Sequence, residues 1–290
     1  MRDLQLPGRS PVITSNGMVS TSQPLSTSAA LTVLKDGGNA MDAALAACAV
    51  QAVVEPASTG IGGDCFCLYA PADSPDIIAI NGSGRAPQAL NTELLLSQGI
   101  TKIEQQSAHS VTVPTAVDAW VQLNRDHGTM PLADLLQPAI GYADDGFPVA
   151  QRSAFDFAGC LALLKGDADA SDVFLKAGQT YQMGEILRQP ALAKTLREIA
   201  EKSRAGFYEG WVADDLLAKL NGLGGLHTAD DLAMARADYV TPISTNFRGY
   251  DIFECPPNRA IHILTDQLDQ TPLDLLGKQL PLFGSRLLKS

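Results

Sequence analysis

Basic residues are scarce in this chain: 21 Lys and Arg stand against 32 Asp and Glu, for a formal net charge of −11 over 290 residues. Neutralising a phosphate backbone takes clustered cations, and these are dispersed, which argues against nucleic acid as a partner. Histidine is scarcer still. His109, His127, His227 and His262 lie far apart, none at ligand spacing from another, so zinc or any other bound metal is not expected. The five cysteines (Cys48, Cys65, Cys67, Cys160, Cys255) form no CxxC pair and leave one over, a pattern that suits reduced, buried thiols in a cytosolic protein. No Gly-Lys-Ser/Thr triplet occurs, so there is no P-loop and no cofactor is expected. Residues 1–11 lack the apolar core of a secretory signal. The longest mainly apolar stretch, 40–54, is alanine-rich and broken by Asp42 and Gln51. Neither export by that route nor a membrane span is expected, and the reading is a cytoplasmic chain with no membrane contact.

What is present concentrates in residues 36–69, DGGNAMDAALAACAVQAVVEPASTGIGGDCFCLY. Gly37-Gly38 closes one helix, Asn39 is a good N-cap for the next, and Asp42 falls in that helix's positive first turn. The helix from Ala40 to about Val53 stops at Glu55-Pro56. Gly60 to Gly63 then allows a tight turn before Cys65-Phe-Cys-Leu-Tyr69, which reads as a buried strand. Taken alone, this is a packed helical hairpin with a glycine turn. A dinucleotide fingerprint fails on context, because it needs strand, glycine loop, then helix.

Elsewhere, residues 12–21 read as a strand crossing a Ser-Asn-Gly turn, and Pro24 opens a helix that runs to Lys35. Residues 65–70 and 77–81 read as paired strands across a Pro-rich turn. From about 114 to 225 apolar residues recur at helical spacing, as in Ala116, Val117, Trp120 and Leu123. Thr228 caps a helix with Asp231 at its third position, and 241–253 returns to strand. At 46% hydrophobic content the chain can bury a core as one large domain or two small ones.

The segment GGNAMDAALAA with VVEPASTGIGG resembles the gamma-glutamyltransferase (gamma-glutamyltranspeptidase) family of N-terminal-nucleophile hydrolases. The resemblance continues through Asn81-Gly-Ser-Gly-Arg-Ala-Pro87, Ser110-Val-Thr-Val-Pro-Thr-Ala-Val-Asp-Ala-Trp120, Leu226-His-Thr-Ala-Asp-Asp-Leu232 and Glu254-Cys-Pro-Pro257, and covers roughly residues 12–258. It implies an α/β fold, part of an αββα sandwich, with a helix-rich lobe at about 114–225. It further implies the large-subunit half of such an enzyme, residues 1–258, followed by a divergent tail, 259–290.

Members of that family use a threonine that becomes an N-terminus by self-cleavage, so that its hydroxyl attacks an amide carbonyl and its own amine serves as base. No Thr-Thr-His motif exists here, and the reversed His227-Thr228 sits where a helix cap belongs. The expectation is therefore no catalytic residue in this chain and no activity from it alone. A small-molecule acyl donor, such as a gamma-glutamyl or glutaryl amide, would bind once a second half completes the site. In glutathione-cleaving members an Arg of an Arg-Glu-x-Ala-Pro motif pairs with the substrate carboxylate. Aligned on Ala86-Pro87, that position holds Ser83, and Arg85 follows two residues later. Either Arg85 reaches the carboxylate from a shifted place or the chain takes a different acyl donor; a plain surface ion pair is the other role open to Arg85. Asp64 and Glu55 are expected to stabilise loop amides, Asp144-Asp145 to form a solvated helix end, and Trp120 and Trp211 to pack in the core.

After Asn258 the resemblance ends, and leucines of residues 265–290 could line a helix. A frameshift or premature stop in a longer frame is the preferred account, ahead of a chain evolved to this length or a separately encoded subunit. A half-fold of this kind would expose apolar surface and associate through it. The competing function is a non-catalytic binding or scaffold module built on the same half-fold.

Overall fold

The structure is a computed structural model that describes residues 11–72, 74–247 and 249–256. Two helices open it, α1 (Pro24–Lys35) and α2 (Ala40–Val54), packed side by side. Helix α2 is apolar nearly all round, as suits a helix that is surrounded: Leu45, Ala46, Ala49, Val50, Val53 and Val54 are buried against α1 and against helices described below. Strands β1 (Cys65–Tyr69) and β2 (Ile78–Gly82) follow as an antiparallel pair with Cys65 opposite Gly82 and Tyr69 opposite Ile78.

Helices α3 (Thr92–Ser97), α4 (Ala116–His127), α5 (Leu132–Leu135) and α6 (Gln137–Asp145) come next, and strand β3 (Phe147–Pro148) leads into α7 (Gln151–Gly159), α8 (Leu161–Lys165) and α9 (Ala168–Phe174). Short ladders join β4 (Leu175–Lys176) to β5 (Gln179–Thr180), and β3 to β6 (Ile186–Leu187). The lobe closes with α10 (Pro190–Lys202), α11 (Ala205–Tyr208), α12 (Gly210–Gly222) and α13 (Ala229–Met234). Then β7 (Asp238–Val240) returns to pair with β2, Asn81 opposite Asp238, giving the sheet order β1-β2-β7. A hairpin of β8 (Ile243–Phe247) and β9 (Tyr250–Glu254) ends the described chain.

One buried cluster runs from Ala29 to Ala237, so the helical lobe and the sheet share a core. Helix α4 lies on one sheet face, close enough that a Cβ on Gly82 would stand 3.1 Å from the Ala119 Cβ. Cys65, Cys67 and Tyr69 pack toward that core, whereas Phe66 is 49% and Leu68 40% exposed on the other face. The expectation of a buried β1 is thereby corrected: one of its faces is open. Residues 12–21 are not a strand either. No ladder partner faces them among the described residues, and an extended segment becomes a strand only when a neighbour supplies its hydrogen bonds.

Helix boundaries follow their local chemistry. Lys35 ends α1 and Gly37 takes a φ of +94°. Asn39 and Asp42 form a reciprocal cap on α2, and Thr228 and Asp231 do the same on α13. The expected C-terminal leucine helix, the tail from 259, His262 and residues 1–10 lie outside the described residues.

Candidate functional site

The glycine loop and the Asn81–Pro87 motif meet at one place. The Gly63 carbonyl accepts the N–H groups of Thr115 (3.3 Å) and Ala116 (3.1 Å), which seats the loop on the start of α4. Asp64 accepts the Gly84 N–H at 3.2 Å, the Thr115 hydroxyl donates to the Gly82 carbonyl, and the Val113 N–H donates to the Arg85 carbonyl at 2.9 Å. Ser83 donates its own N–H to Asn81 Oδ1 at 2.9 Å. Residues 82–85 are thus clamped on both sides. Glycine is required at 84, because a Cβ there would lie 1.8 Å from the Val113 carbonyl oxygen.

Beside this turn is a cavity of about 360 Å³ with two walls. Arg85, Gln88 and Thr115 line one; Asp231, Arg236 and Asp238 line the other. The Arg85 side chain is 91% exposed and stands 4.0 Å from the Asp238 carboxylate, so at present it makes the surface ion pair foreseen as its structural role. Such exposed pairs contribute little stability. Asp231 is differently placed. Burial alone would push its pKa up, but hydrogen bonds from the Gln88 N–H (2.9 Å) and from the Thr228 hydroxyl and N–H outweigh this and hold the carboxyl below its usual range.

No acyl-transfer centre is assembled in this cavity among the described residues: Thr115 carries its hydroxyl and gives the proton to Gly82, none of the described histidines lines the walls, and Asp231 is engaged by three donors. Thiol nucleophiles fare no better. Cys65 is pushed up to about 12, first by burial and then by neighbouring Cys48 and Cys67, against a hydrogen bond from Trp120; Cys67 rises to about 11, again mainly by burial. All five cysteines are free thiols.

The remaining expectations divide. Asp64 holds the amide of Gly84, in the Asn81–Pro87 turn and not in the glycine loop it follows, and Glu55 takes its donors from the Ser22 hydroxyl and the Gln51 side chain. Thr228 is a cap. Trp120 is buried, Trp211 is partly buried against the core with the Lys194 ammonium 3.9 Å from its ring centre, and Asp144 is ion-paired with Arg197 at the end of α6. The sequence reading missed Asp118, which is 2% exposed and accepts from Arg204 Nε (2.7 Å), Gln122 and the Ala237 N–H (2.8 Å). Arg204 in turn donates to the Leu232, Ala233 and Ala235 carbonyls, fixing the second cavity wall to α4. A carboxylate among the otherwise apolar positions of a first helical turn was the available signal, since such a group is buried only when paired. His227, also buried, was assigned no role of its own.

The sequence profile of the gamma-glutamyltranspeptidase family matches residues 26–272, past the point where the motif resemblance was expected to end. The chain is 36% identical over 248 residues to the glutathione hydrolase-like YwrD proenzyme of Bacillus subtilis, covering 85% of this chain and 47% of that protein. Among solved structures, the gamma-glutamyltranspeptidase of Helicobacter pylori superposes with a TM-score of 0.85 at 29% identity, covering 92% of this chain and 78% of the other. The cephalosporin acylase of Bacillus halodurans gives 0.82 at 40% identity, covering 88% and 49%. The chain spans about half the length of the curated relatives it matches. Its sheet and helices are part of the αββα sandwich of N-terminal-nucleophile hydrolases, with a helix-rich central lobe. The chain belongs to the gamma-glutamyltranspeptidase family.

Proposed function

We propose that this chain supplies the large-subunit region, residues 1–258, of a gamma-glutamyltransferase-like amidohydrolase, with the helix-rich lobe at about 114–225 as its support and the acyl-donor carboxylate held near the clamped turn at residues 82–85. The observation that carries the reading is that turn. It presents Ser83 and Arg85 from a backbone fixed by Asp64, Val113 and Thr115, in a chain whose family acts on amide-linked acyl groups. A fixed backbone is what a carboxylate-binding residue needs. The threonine nucleophile would come from the other half of the enzyme. Its hydroxyl would attack the amide carbonyl, the amine would leave with the proton taken up by the threonine's own amine, and water or a second amine would release the acyl group. Five free thiols support a reducing, cytoplasmic setting.

With serine at 83, the donor is better read as a glutaryl-type or other acyl amide than a gamma-glutamyl one. The relative with 40% identity is named a cephalosporin acylase, which agrees with this direction. The test is coexpression of this chain with the second half of a relative, followed by assay on glutaryl and gamma-glutamyl anilides. The chain alone should leave both intact and run as one uncut band. In the assembled enzyme Ser83→Arg should raise gamma-glutamyl kcat/KM by about tenfold or more, the worth of one charge-assisted hydrogen bond. Turnover by the chain alone that one internal Thr or Ser substitution abolishes would overturn the reading. So would efficient gamma-glutamyl cleavage by the assembled enzyme that Arg85→Ala leaves unchanged.

A further inference from the structure

A helix that is apolar nearly all round belongs inside a protein, yet α2 keeps one line open, with Ala40, Ala44 and Cys48 exposed along it. These three line a cavity of about 700 Å³ together with Leu34 of α1 and residues 16–22. The chain bends at Ser15 and Asn16, and before the bend it carries Val12 and Ile13, which are 65% and 92% exposed. Met18, on the cavity's rim, is exposed as well.

We propose that this face is a two-fold interface between two copies of the chain, with residues 12–14 of each lying in the cavity of the other. The inference concerns the chain by itself and stands apart from the reaction proposed above.

Charge selects the occupant. At a net charge of −11, two copies of this chain repel one another over most approaches. Residues 11–22 and the cavity residues on α1 and α2, by contrast, include no Asp, Glu, Lys, Arg or His. Glu55 is buried behind Ser22 and Gln51, whose side chains donate to it. Identical surfaces can therefore meet here without setting like charges opposite each other or stripping water from one. Symmetry does the rest, since each copy offers both an apolar arm and an apolar cavity, and a two-fold contact of that kind closes on itself instead of growing. Residues 17–21 have no ladder partner among the described residues; across the axis they run antiparallel to their own copy and exchange the hydrogen bonds that both lack.

The experiment is sedimentation equilibrium on the full chain from about 1 to about 100 μM, the span in which an interface of modest affinity fills. The mass should rise to that of two chains and stop there. Ile13→Asp, in the arm, and Ala44→Arg, in the cavity, should each weaken association about tenfold or more, because each places an unpaired charge in an apolar contact. Leu223→Asp, at an exposed position just past α12, is the control for general adhesion and should leave the mass curve unchanged. Should Ala44→Arg fail to fold, Ile13→Asp carries the test, since its side chain stands almost wholly in solvent in the single chain. Amide exchange on the wild type should show residues 17–21 gaining protection as the dimer forms. A mass of one chain throughout, growth past two chains, association that Ile13→Asp leaves unchanged, or an equal loss with Leu223→Asp would each overturn the interface. So would amides of 17–21 that gain protection only on coexpression with the second half of a relative, which would assign the face to that half.

Discussion

Gly62 and Gly84 belong to the same pair of motifs yet stand in opposite surroundings. A Cβ on Gly84 would collide with a backbone carbonyl at 1.8 Å, and neither partner can move without breaking the clamp on residues 82–85. A Cβ on Gly62 would meet nothing within 4 Å. Gly84→Ala should therefore cost about 3 kcal/mol and Gly62→Ala no more than about 0.5 kcal/mol, read from denaturant midpoints. Equal midpoints would show that the turn is not held as described. Asp118→Asn removes the carboxylate that Arg204, Gln122 and Ala237 share. Breaking a buried pair costs about 3–5 kcal/mol, and because Arg204 retains some solvent the lower end applies. Asp231 gives a pH-dependent counterpart. Its folded pKa is depressed, so its stabilisation is complete above about pH 4 and fades as pH falls through the folded value. The stability gap between wild type and Asp231→Asn should narrow over that acidic interval; a constant gap would assign the effect to shape instead of charge.

At the level of helices and strands, the N-terminus of α2 is the most heavily tied. Asp42 completes the Asn39 cap and also accepts the Thr129 N–H, the Thr129 hydroxyl and the Met130 N–H, while Asn39 Nδ2 donates to the His127 carbonyl at 2.7 Å. Asn39→Ala should cost about 1–2 kcal/mol by thermal or denaturant unfolding, the upper part of the range for caps, since two elements lose a link together. The cap itself was legible, as was the one on α13, because both partners lie within four residues of each other. The start of α1 at Pro24 and the β1–β2 pairing were legible for the same local reason. What Asp42 does for Thr129 was not, and neither was the Asp118–Arg204 pair, since partners some 86 residues apart leave no periodic trace. Residues 12–21 show the other limit. Alternation reports that a segment could pair, not that a neighbour exists, and β1 read as buried because its apolar side chains do not say which face is covered.

For the molecule as a whole, the motifs held residues of both walls of the candidate site, Arg85 and Asp231 among them, but did not say that the two walls meet. The Asn81–Pro87 segment identified the turn, but Asp231, Arg236 and Asp238 reach it only through the path of the helical lobe, and Arg85 turns out to stand in solvent beside Asp238. That same path has a consequence for synthesis. Strand β2 is the middle strand of the sheet, yet its second edge is completed by β7, with Ala79 opposite Val240. Roughly 160 residues must leave the ribosome between the two, which at usual elongation rates is on the order of 10–30 s. During that interval β2 offers an unpaired edge that any passing strand can template upon, and the nascent chain depends on α4 covering the sheet's inner face to keep it in register.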